Sequence, residues 1–237
     1  EVTLHIAEAG DPEKPVMLFL HGFPEFWYAW KGMMGRFAAD YRCVAPDLRG
    51  FGESDAPAEV EAYRAKHVVG DIKGLIEALG EWVLRTACVQ AARWPRDVRI
   101  AVNVSPIQFA NPAFPGLVTS ALAHSGLAAE RLELEITEGV FLDESGSTDA
   151  MFKALKGIGV RLALDDFGTG YSSLGYLRNA PFDKIKIDQS FVRNMLNDRD
   201  DLHLVRAVIG LARSFSLTVI AEGVESVEHG ARLIQLG

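Results

Sequence analysis

The sequence contains little cysteine: Cys43 and Cys88 are its only two such residues. Both lie in apolar segments without metal-ligand spacing, which favours buried thiols in a reducing compartment over a disulfide or a zinc site. Long apolar runs are also missing, since the longest, Val16 to Leu20, is far too short to cross a bilayer. The N-terminus has no basic region of the kind that begins a signal peptide. These absences predict a cytoplasmic protein with no membrane partner.

Positive charge is scarce as well. The chain has 24 Lys and Arg residues against 32 Asp and Glu residues, for a formal net charge of −8. A basic face that binds DNA or RNA is therefore not expected, although a small phosphate ligand could still be approached through bound cations. The 237 residues are enough for one large α/β domain or two small ones, with a core that needs no disulfides.

Segments with strand and helix patterns alternate along the chain, which indicates an α/β fold with parallel strands and crossover helices. Early in the chain we predict an edge strand at Val2 to Ala7, followed by two buried strands. A helix from Tyr63 to Leu79 should end at Gly80, and a second helix should begin beyond it. The other predicted strands are Val16 to Leu20, Arg42 to Ala45, Ile100 to Val104, Leu132 to Ile136, Arg161 to Leu164, Lys184 to Ile187 and Thr218 to Ala221.

The residues His21, Gly22 and Phe23 directly follow the second predicted strand. A strand that ends in His-Gly can turn sharply and present backbone amides, as oxyanion donors do. The stretches HGFPEFWYAW and APDLRGFGESDAP closely resemble the N-terminal segment of epoxide hydrolase-like α/β-hydrolases, over about residues 2–80. No nucleophile elbow follows, because Asp71 lies in a helical pattern between bulky neighbours and is predicted to face solvent. The three residues are therefore interpreted as a vestigial oxyanion element.

Oxygen-bearing side chains recur at the ends of the later strands. They include the adjacent pair Asp165 and Asp166, which would repel each other at a buried strand end unless something offset their charge. Parallel strands place their ends on one rim, and carboxylate and amide oxygens suit hard divalent ions. A single carboxylate is better explained as a helix cap or a salt bridge, and Asp188 is predicted to cap the helix that begins at Gln189. The oxygen-bearing set is Asn103, Glu135, Glu138, Asp165, Asp166, Glu222 and Glu225, and the cationic Lys186 lies on a strand among them.

The segments EWVLRTAC, NVSPIQF, ELEITE, DDFGTGYSSL, DKIKIDQSFV and AEGVES follow one another over residues 81–237. Together they resemble the C-terminal two-thirds of EAL-domain cyclic di-GMP phosphodiesterases, a family with a modified TIM-type barrel and two divalent metals. The resemblance implies that Lys186, Asp166 and Glu222 are catalytic, with Lys186 orienting the attacking water. It implies that Glu138 supports the DDFGTG loop. It also implies a Mg²⁺ or Mn²⁺ site formed by Asn103, Glu135, Asp165, Asp166 and Glu222.

The stretch GLIEALGEW spells the family name at Glu77, but that residue is not expected to be the family's metal ligand. The family's glutamate lies on a barrel strand well upstream of the helix that resembles EWVLRTAC, whereas Glu77 immediately precedes that helix and should face solvent. We therefore predict a chimera joined near Leu79 to Glu81. Residues 1–80 form a hydrolase-like segment, and residues 81–237 form a truncated EAL-like barrel that is partial or re-closed. The sequence leaves open whether the two segments share one core.

Three functions follow from these patterns. The first is an EAL-type phosphodiesterase that acts on cyclic di-GMP and is impaired by loss of the EAL strand and the last barrel strand, which leaves the two-metal site incomplete. The second is a binding module or an inert chimera. The third, an α/β-hydrolase acting on epoxides, esters or halides, is disfavoured because the nucleophile is missing. The ligand expected is a cyclic dinucleotide rather than a nucleic-acid polymer, and a homodimer is left open.

Overall fold

The computed structural model describes residues 2–142, 147–169, 177 and 180–237, with the backbone only at Leu142. Gly170 of the DDFGTG segment and residues 171–173 lie outside the described residues. The chain divides into two compact units between Leu75 and Ile76. Within the described residues, no helix has the length and apolar character needed to cross a bilayer.

The first unit contains a three-stranded sheet in the order β1-β3-β2, formed by Ile6–Ala9, Val16–Leu18 and Arg42–Pro46. Strand β1 is antiparallel to β3, whereas β2 is parallel to it. Helix α1, Lys31–Phe37, is preceded by a 3-10 turn at Trp27–Trp30. The small apolar core of this unit consists of Phe19, Met34, Cys43 and Ala45.

The edge strand predicted at Val2 to Ala7 is shifted, since β1 begins only at Ile6. Isolated contacts rather than a regular strand ladder hold the preceding backbone, and they include hydrogen bonds from the Asp47 amide to the His5 carbonyl oxygen at 2.9 Å and from the Asp55 amide to the Thr3 carbonyl oxygen at 3.0 Å. The amide of Thr3 donates to Asp55, and the amide of His5 donates to the Ser54 hydroxyl, both at 2.8 Å. Alternation of apolar residues cannot distinguish this arrangement from a regular strand, because both keep the backbone extended.

Asp47 connects several loops of the first unit through hydrogen bonds to its carboxylate. Its buried carboxylate accepts hydrogen bonds from the Trp27 amide at 2.7 Å and the Glu53 amide at 3.1 Å, and His5 Nδ1 lies 2.9 Å away. Burial disfavours the charged form, but these hydrogen bonds outweigh it and hold the pKa of Asp47 below its ordinary value. The ionised carboxylate therefore stabilises the folded unit.

Replacing Asp47 with Asn should destabilise the first unit by about 1–3 kcal/mol at pH 7, because an amide accepts fewer hydrogen bonds than a carboxylate. A depressed folded-state pKa gives stability that is present above the unfolded pKa, about 4, and is lost as pH falls through the lower folded value. The variant should therefore lose less stability on acidification than the wild type. Hydrogen exchange of the β3 amides at pH 7 and pH 3 checks this, with the exposed Asp40→Asn as control. Equal pH dependence in variant and wild type would contradict it.

Helix α2 runs unbroken from Ala65 to Ala92, so the helix end predicted at Gly80 is wrong. A Cβ atom at Gly80 would collide with the side-chain amide of Gln108. That amide belongs to a capping box with Ser105 at the start of α3, Pro106–Phe109. Glycine at this position allows helices α2 and α3 to approach each other closely. Local sequence signals do not distinguish this role of glycine from helix termination.

Two acidic residues on α2 were expected to face solvent. Asp71 instead forms a bidentate ion pair with Arg49, in which Nε and Nη2 of the guanidinium each lie 2.6 Å from a carboxylate oxygen. The Asp71 side chain is only 14% exposed. The solvent-facing prediction for Asp71 is therefore wrong, because the loop after β3 brings a buried arginine to the helix. Glu77 lies within the helix and is half-buried.

Gly80→Ala should lower the free energy of unfolding by about 1–2 kcal/mol. The new methyl group displaces Gln108 and breaks the capping box, a loss larger than the gain in helix propensity. Gly74→Ala in the same helix meets open space and should raise stability by up to about 1 kcal/mol. Urea unfolding of both variants measures the difference. Equal effects at the two positions would refute the close-approach explanation.

The second unit contains a five-stranded parallel sheet in sequence order. Its strands are β4 Ile100–Val104, β5 Leu132–Thr137, β6 Arg161–Phe167, β7 Lys184–Ile187 and β8 Thr218–Ala221. The accompanying helices are α4 Phe114–Ser125, α5 Ser147–Ile158, α6 Gln189–Asn194, α7 Arg199–Ser214 and α8 Val227–Leu236. All five predicted strands are confirmed to within a few residues. Among the described strands, β1 to β3 pair only with one another, so the hydrolase-like strands do not re-close this sheet into a barrel there.

The parallel sheet has one apolar face and one charged face. In β5, Leu132, Leu134 and Ile136 are fully buried in the core of this unit, while Glu133 and Glu135 alternate with them. The same alternation continues in the next strands, since successive side chains of a strand point to opposite faces. We call the second surface the charged face, which carries Asn103, Glu133, Glu135, Asp165, Lys184 and Lys186.

Candidate metal centre

The ammonium group of Lys186 lies among three of the predicted site carboxylates. Its Nζ is 3.0 Å from Glu135 Oε2, 2.9 Å from Asp165 Oδ1 and 2.7 Å from Glu222 Oε1. These acids come from β5, from β6 and from the residue after β8, so three different strands supply them. The side chains of Lys186, Glu135 and Asp165 are only about a tenth exposed. The predicted convergence on one rim therefore holds for these four residues.

The electrostatics of this cluster are unbalanced. Burial works to lower the pKa of Lys186, but hydrogen bonds to the three carboxylates outweigh it and raise that pKa above its usual range. Burial raises the pKa of Glu135, and the contact with Lys186 offsets only part of the effect. Three carboxylates around one ammonium leave two negative charges, so additional positive charge would be stabilised here.

Asp166 joins the cluster through an irregularity in its strand. In a regular strand, Asp165 and Asp166 would point to opposite faces. Here the register of β6 against β7 shifts between Leu164 and Phe167, and Asp166 has a positive φ of 51°. One carboxylate oxygen from each of Asp165, Asp166 and Glu222 consequently lies within 4.8 Å of the other two. Such strained backbone costs free energy and occurs preferentially at functional sites.

Asp188 is a member of this acidic group that the sequence did not reveal. Its predicted capping role is confirmed, since its carboxylate accepts a hydrogen bond from the Ser190 amide at 2.9 Å. The Ser190 hydroxyl and amide lower the pKa of Asp188, while its carboxyl group also shares a hydrogen bond with Asp166. Burial, and then the neighbours Asp165 and Asp188, raise the pKa of Asp166. The sequence signal that could have identified Asp188 is its position at a strand end. It directly follows β7, just as Asp166 lies beyond the regular part of β6.

Glu138 supports the backbone next to the acidic pair. It is buried in the turn after β5, and its Oε1 accepts a hydrogen bond from the Gly168 amide at 2.7 Å. Gly168 has a φ of 102°, and a Cβ atom there would approach Phe191 to 3.0 Å. The structure thus places Glu138 where it restrains the start of the DDFGTG segment.

Two further site residues lie on the edges of this arrangement. Asn103 is the register partner of Glu135 on the edge strand β4, and its side chain is exposed on the charged face. Glu225 is engaged by Arg193, whose Nε donates to it at 2.8 Å. The structure therefore places Asn103 beside the cluster and gives Glu225 a cationic partner of its own.

The hydrolase-like residues occupy the first unit. His21 is buried, its Nε2 accepts a hydrogen bond from the Leu48 amide at 2.9 Å, and its Nδ1 lies 3.0 Å from the carbonyl oxygen of Gly22. Both ring nitrogens are thus satisfied by backbone groups. Phe23 is 88% exposed. The imidazole holds two loops together, which agrees with a structural role for this motif.

Comparison with known proteins assigns the second unit. Residues 68–237 match the family model of the EAL domain. The chain belongs to the EAL domain family. Residues 15–81 also match the model of the alpha/beta hydrolase fold, and the two matches overlap over residues 68–81. The EAL match therefore extends upstream of the junction predicted near Leu79 to Glu81. It includes Glu77, which lies on helix α2 rather than on a strand.

Several relatives of the EAL family are similar to this chain. An uncharacterized signaling protein of Caulobacter vibrioides is 55% identical over 162 residues, which is 68% of this chain and 20% of that protein. The bifunctional diguanylate cyclase/cyclic di-GMP phosphodiesterase MucR of Pseudomonas aeruginosa is 39% identical over 168 residues, 69% of this chain and 24% of that protein. The chain thus spans about a fifth to a quarter of the length of these curated relatives.

Solved structures of EAL proteins have the same fold. The complex of the PaMucR phosphodiesterase with c-di-GMP has a TM-score of 0.67 at 39% identity and covers 71% of this chain and 75% of that one. The manganese and cyclic di-GMP complex of BlrP1 from Klebsiella pneumoniae has a TM-score of 0.63 at 28% identity, covering 77% of this chain and 45% of that one.

Proposed function

We propose that the second unit is a divalent metal-dependent phosphodiesterase site for cyclic di-GMP, with weak turnover. The observation that supports this most strongly is the convergence of Asp165, Asp166 and Glu222 within 4.8 Å, beside the ammonium group of Lys186. Membership in the EAL family and the cyclic di-GMP complexes of its solved relatives support the choice of substrate.

The donor set fits Mg²⁺ or Mn²⁺. It offers carboxylate oxygens and one amide, without cysteine or histidine, which is the chemistry that hard divalent ions prefer. We assign the metal-holding role to Asn103, Glu135, Asp165, Asp166 and Glu222. Bound divalent ions would supply charge neutralisation at the phosphodiester and a more acidic water.

The protein groups have separate tasks in this proposal. Lys186 is a strong hydrogen-bond donor, which suits it to orient the attacking water and to stabilise negative charge that develops on the phosphate. Asp166 has a raised pKa and is partly exposed, which suits it to accept a proton from that water. Glu222 is the most exposed of the three carboxylates around Lys186, which makes it the most accessible of them to a substrate. The water oxygen attacks phosphorus as its proton passes to Asp166, the bond from phosphorus to the ribose oxygen breaks, that oxygen takes up a proton from solvent, and the linear dinucleotide results.

Weak turnover is expected because the first unit replaces an upstream part of the family's barrel. Residues 15–81 match the hydrolase model, and the described residues before Asn103 place no carboxylate on a strand paired with β4. The ligand set of the two-metal site would then be one glutamate short. Missing ligands reduce metal affinity and misplace the reacting groups.

Product analysis tests this proposal. The protein is incubated with cyclic di-GMP and Mn²⁺ or Mg²⁺, and the linear dinucleotide is measured by chromatography, with chelator as control. Metal-dependent formation of linear product supports the proposal. Calorimetry distinguishes the alternatives, because binding without product indicates a binding module and no heat of binding indicates an inert chimera.

A hydrolase function for the first unit has little structural support. Asp71 is the residue that most nearly resembles a hydrolase nucleophile, but it lies in helix α2 and forms an ion pair with Arg49. His21 forms a hydrogen bond with a backbone amide. We therefore expect no labelling by covalent probes for nucleophilic Ser or Asp residues. Stoichiometric labelling at one residue would instead support a hydrolase function for the first unit.

Glu138→Ala should lower metal-dependent activity by about 10- to 100-fold, the usual effect of removing a group that orients a metal site. The variant removes the acceptor for the Gly168 amide and so loosens the backbone after the acidic pair. Glu138→Gln keeps an acceptor and should retain most of the activity. Initial rates at saturating Mn²⁺ measure both. Equal losses in Ala and Gln variants would show that the negative charge matters more than the support.

A further inference from the structure

Lys186 lies where a bound cation would be expected. Its Nζ contacts oxygens from three carboxylates at 2.7–3.0 Å, and those carboxylates come from three separate strands. An exposed lysine–carboxylate pair is weakened by solvent, whereas this side chain is only 10% exposed and its ammonium contacts three acids. The ammonium therefore has the environment of a coordinated ion.

The same carboxylates cannot serve Lys186 and a metal equally. Two of the three carboxylates, Asp165 and Glu222, also belong to the group in which one oxygen of each residue lies within 4.8 Å of the others. Divalent ions bind carboxylates at about 2.0–2.6 Å, so an ion held by this group would lie within a few ångströms of Nζ in its present position. Repulsion between the ammonium and a divalent ion at that separation is large in a partly buried site.

We propose that Lys186 is an internal cation that competes with divalent metals for Glu135, Asp165 and Glu222, so that metal entry requires displacement of its ammonium group. This inference rests on the proposed metal site and adds a regulatory contact to it. In the metal-free protein, Lys186 neutralises the cluster and keeps the acidic rim folded. Metal binding then frees the ammonium for contact with water or phosphate, which couples readiness for catalysis to metal occupancy.

The competition has a thermodynamic consequence. If the metal-accepting arrangement is only a small fraction of the metal-free population, the apparent metal affinity is reduced by that fraction. Removing the ammonium should therefore tighten metal binding even though it harms hydrolysis. A lysine that merely orients water predicts a different result, because its removal would leave metal affinity unchanged.

The charged face offers a matched control. Lys184 lies two residues earlier on β7, and its Nζ is 2.7 Å from the Glu133 carboxylate. The Lys184→Met change removes the same charge from the same face without touching the proposed metal-holding carboxylates. Comparison with Lys186→Met thus separates local competition from a general change in electrostatic potential.

Calorimetric titration with Mn²⁺ tests the inference in wild type, Lys186→Met and Lys184→Met. We expect the Lys186 variant to bind Mn²⁺ about tenfold or more tightly than wild type, and the Lys184 variant to stay within about threefold of wild type. Unchanged or weaker binding by the Lys186 variant, with wild-type binding intact, overturns the competition and leaves the proposed function standing. Absence of Mn²⁺ binding in all three proteins overturns the proposed metal site itself.

Loss of the ammonium could also unfold the rim, and this outcome is informative too. If Lys186→Met is unstable without metal, we expect Mn²⁺ to raise its Tm far more than that of wild type, because the ion replaces the missing positive charge. The milder Lys186→Gln provides a second binding measurement. A Tm of the Met variant that does not respond to Mn²⁺, together with wild-type affinity in the Gln variant, overturns the inference.

Discussion

Replacing Asp165 with Asn should abolish metal-dependent hydrolysis of cyclic di-GMP, lowering kcat by about a thousandfold or more, the scale seen when a group that stabilises transition-state charge is lost. Asp165 contacts Lys186 at 2.9 Å, and its Oδ1 accepts the amide of Asp166 at 3.0 Å. The substitution therefore removes one charge from the proposed metal site and disturbs the backbone that directs the next carboxylate into it.

The control for this prediction is Asp149→Asn, which makes the same change at an exposed position of helix α5. Its activity should equal that of wild type. Initial rates of linear product formation with Mn²⁺ give the comparison, and circular dichroism verifies folding of both variants. Retention of more than a tenth of the wild-type rate by Asp165→Asn would remove this residue from the proposed site.

The second large effect concerns stability. Phe152→Ala should lower the free energy of unfolding by about 3–5 kcal/mol, because the cavity cannot close within a cluster of aromatic rings. Phe152 is 1% exposed, and its ring centroid lies 4.9 Å from that of Phe109, 5.2 Å from Phe182 and 6.0 Å from Phe141. This cluster packs helix α5 against the apolar face of the sheet and so holds the opposite, charged face in register.

Denaturant unfolding monitored by fluorescence measures this loss. Phe152→Leu keeps most of the buried volume and should cost about 1–2 kcal/mol, well below the Ala variant. A loss under 1 kcal/mol for Phe152→Ala would show that the second unit is loosely packed around this ring. The charged face would then lack the rigid support that the site proposal assumes.

Alternation along single strands predicted the second unit well. The pattern of LELEIT places Leu134 in the core and Glu135 on the opposite face, and the structure agrees. The parallel arrangement then brings Glu135, Asp165, Lys186 and Glu222 together, as the positions of these residues at strand ends indicated. These inferences succeed because they depend only on the twofold repeat of strands and on the direction of parallel chains.

The failures share a physical cause. Gly80, Asp71 and Asp188 each take part in a contact with a residue distant in sequence or on a neighbouring element: Gln108, Arg49 and Asp166 respectively. Local signals predicted a helix end at Gly80 and a solvent-facing acid at Asp71, and they gave the confirmed cap at Asp188 without its contact to Asp166, because propensities describe a segment without its tertiary partners. The positive φ of Asp166 was likewise beyond sequence patterns, since it arises where β6 shifts its register against β7.

The most direct measurement is a crystal structure of the protein soaked with Mn²⁺ and recorded at a wavelength that reveals manganese by anomalous scattering. We expect an anomalous peak bounded by the carboxylates of Asp165, Asp166 and Glu222, with the Lys186 ammonium moved away from at least one of them. A map with no peak at this cluster under saturating Mn²⁺, or with manganese bound only at unrelated surface acids, would contradict it.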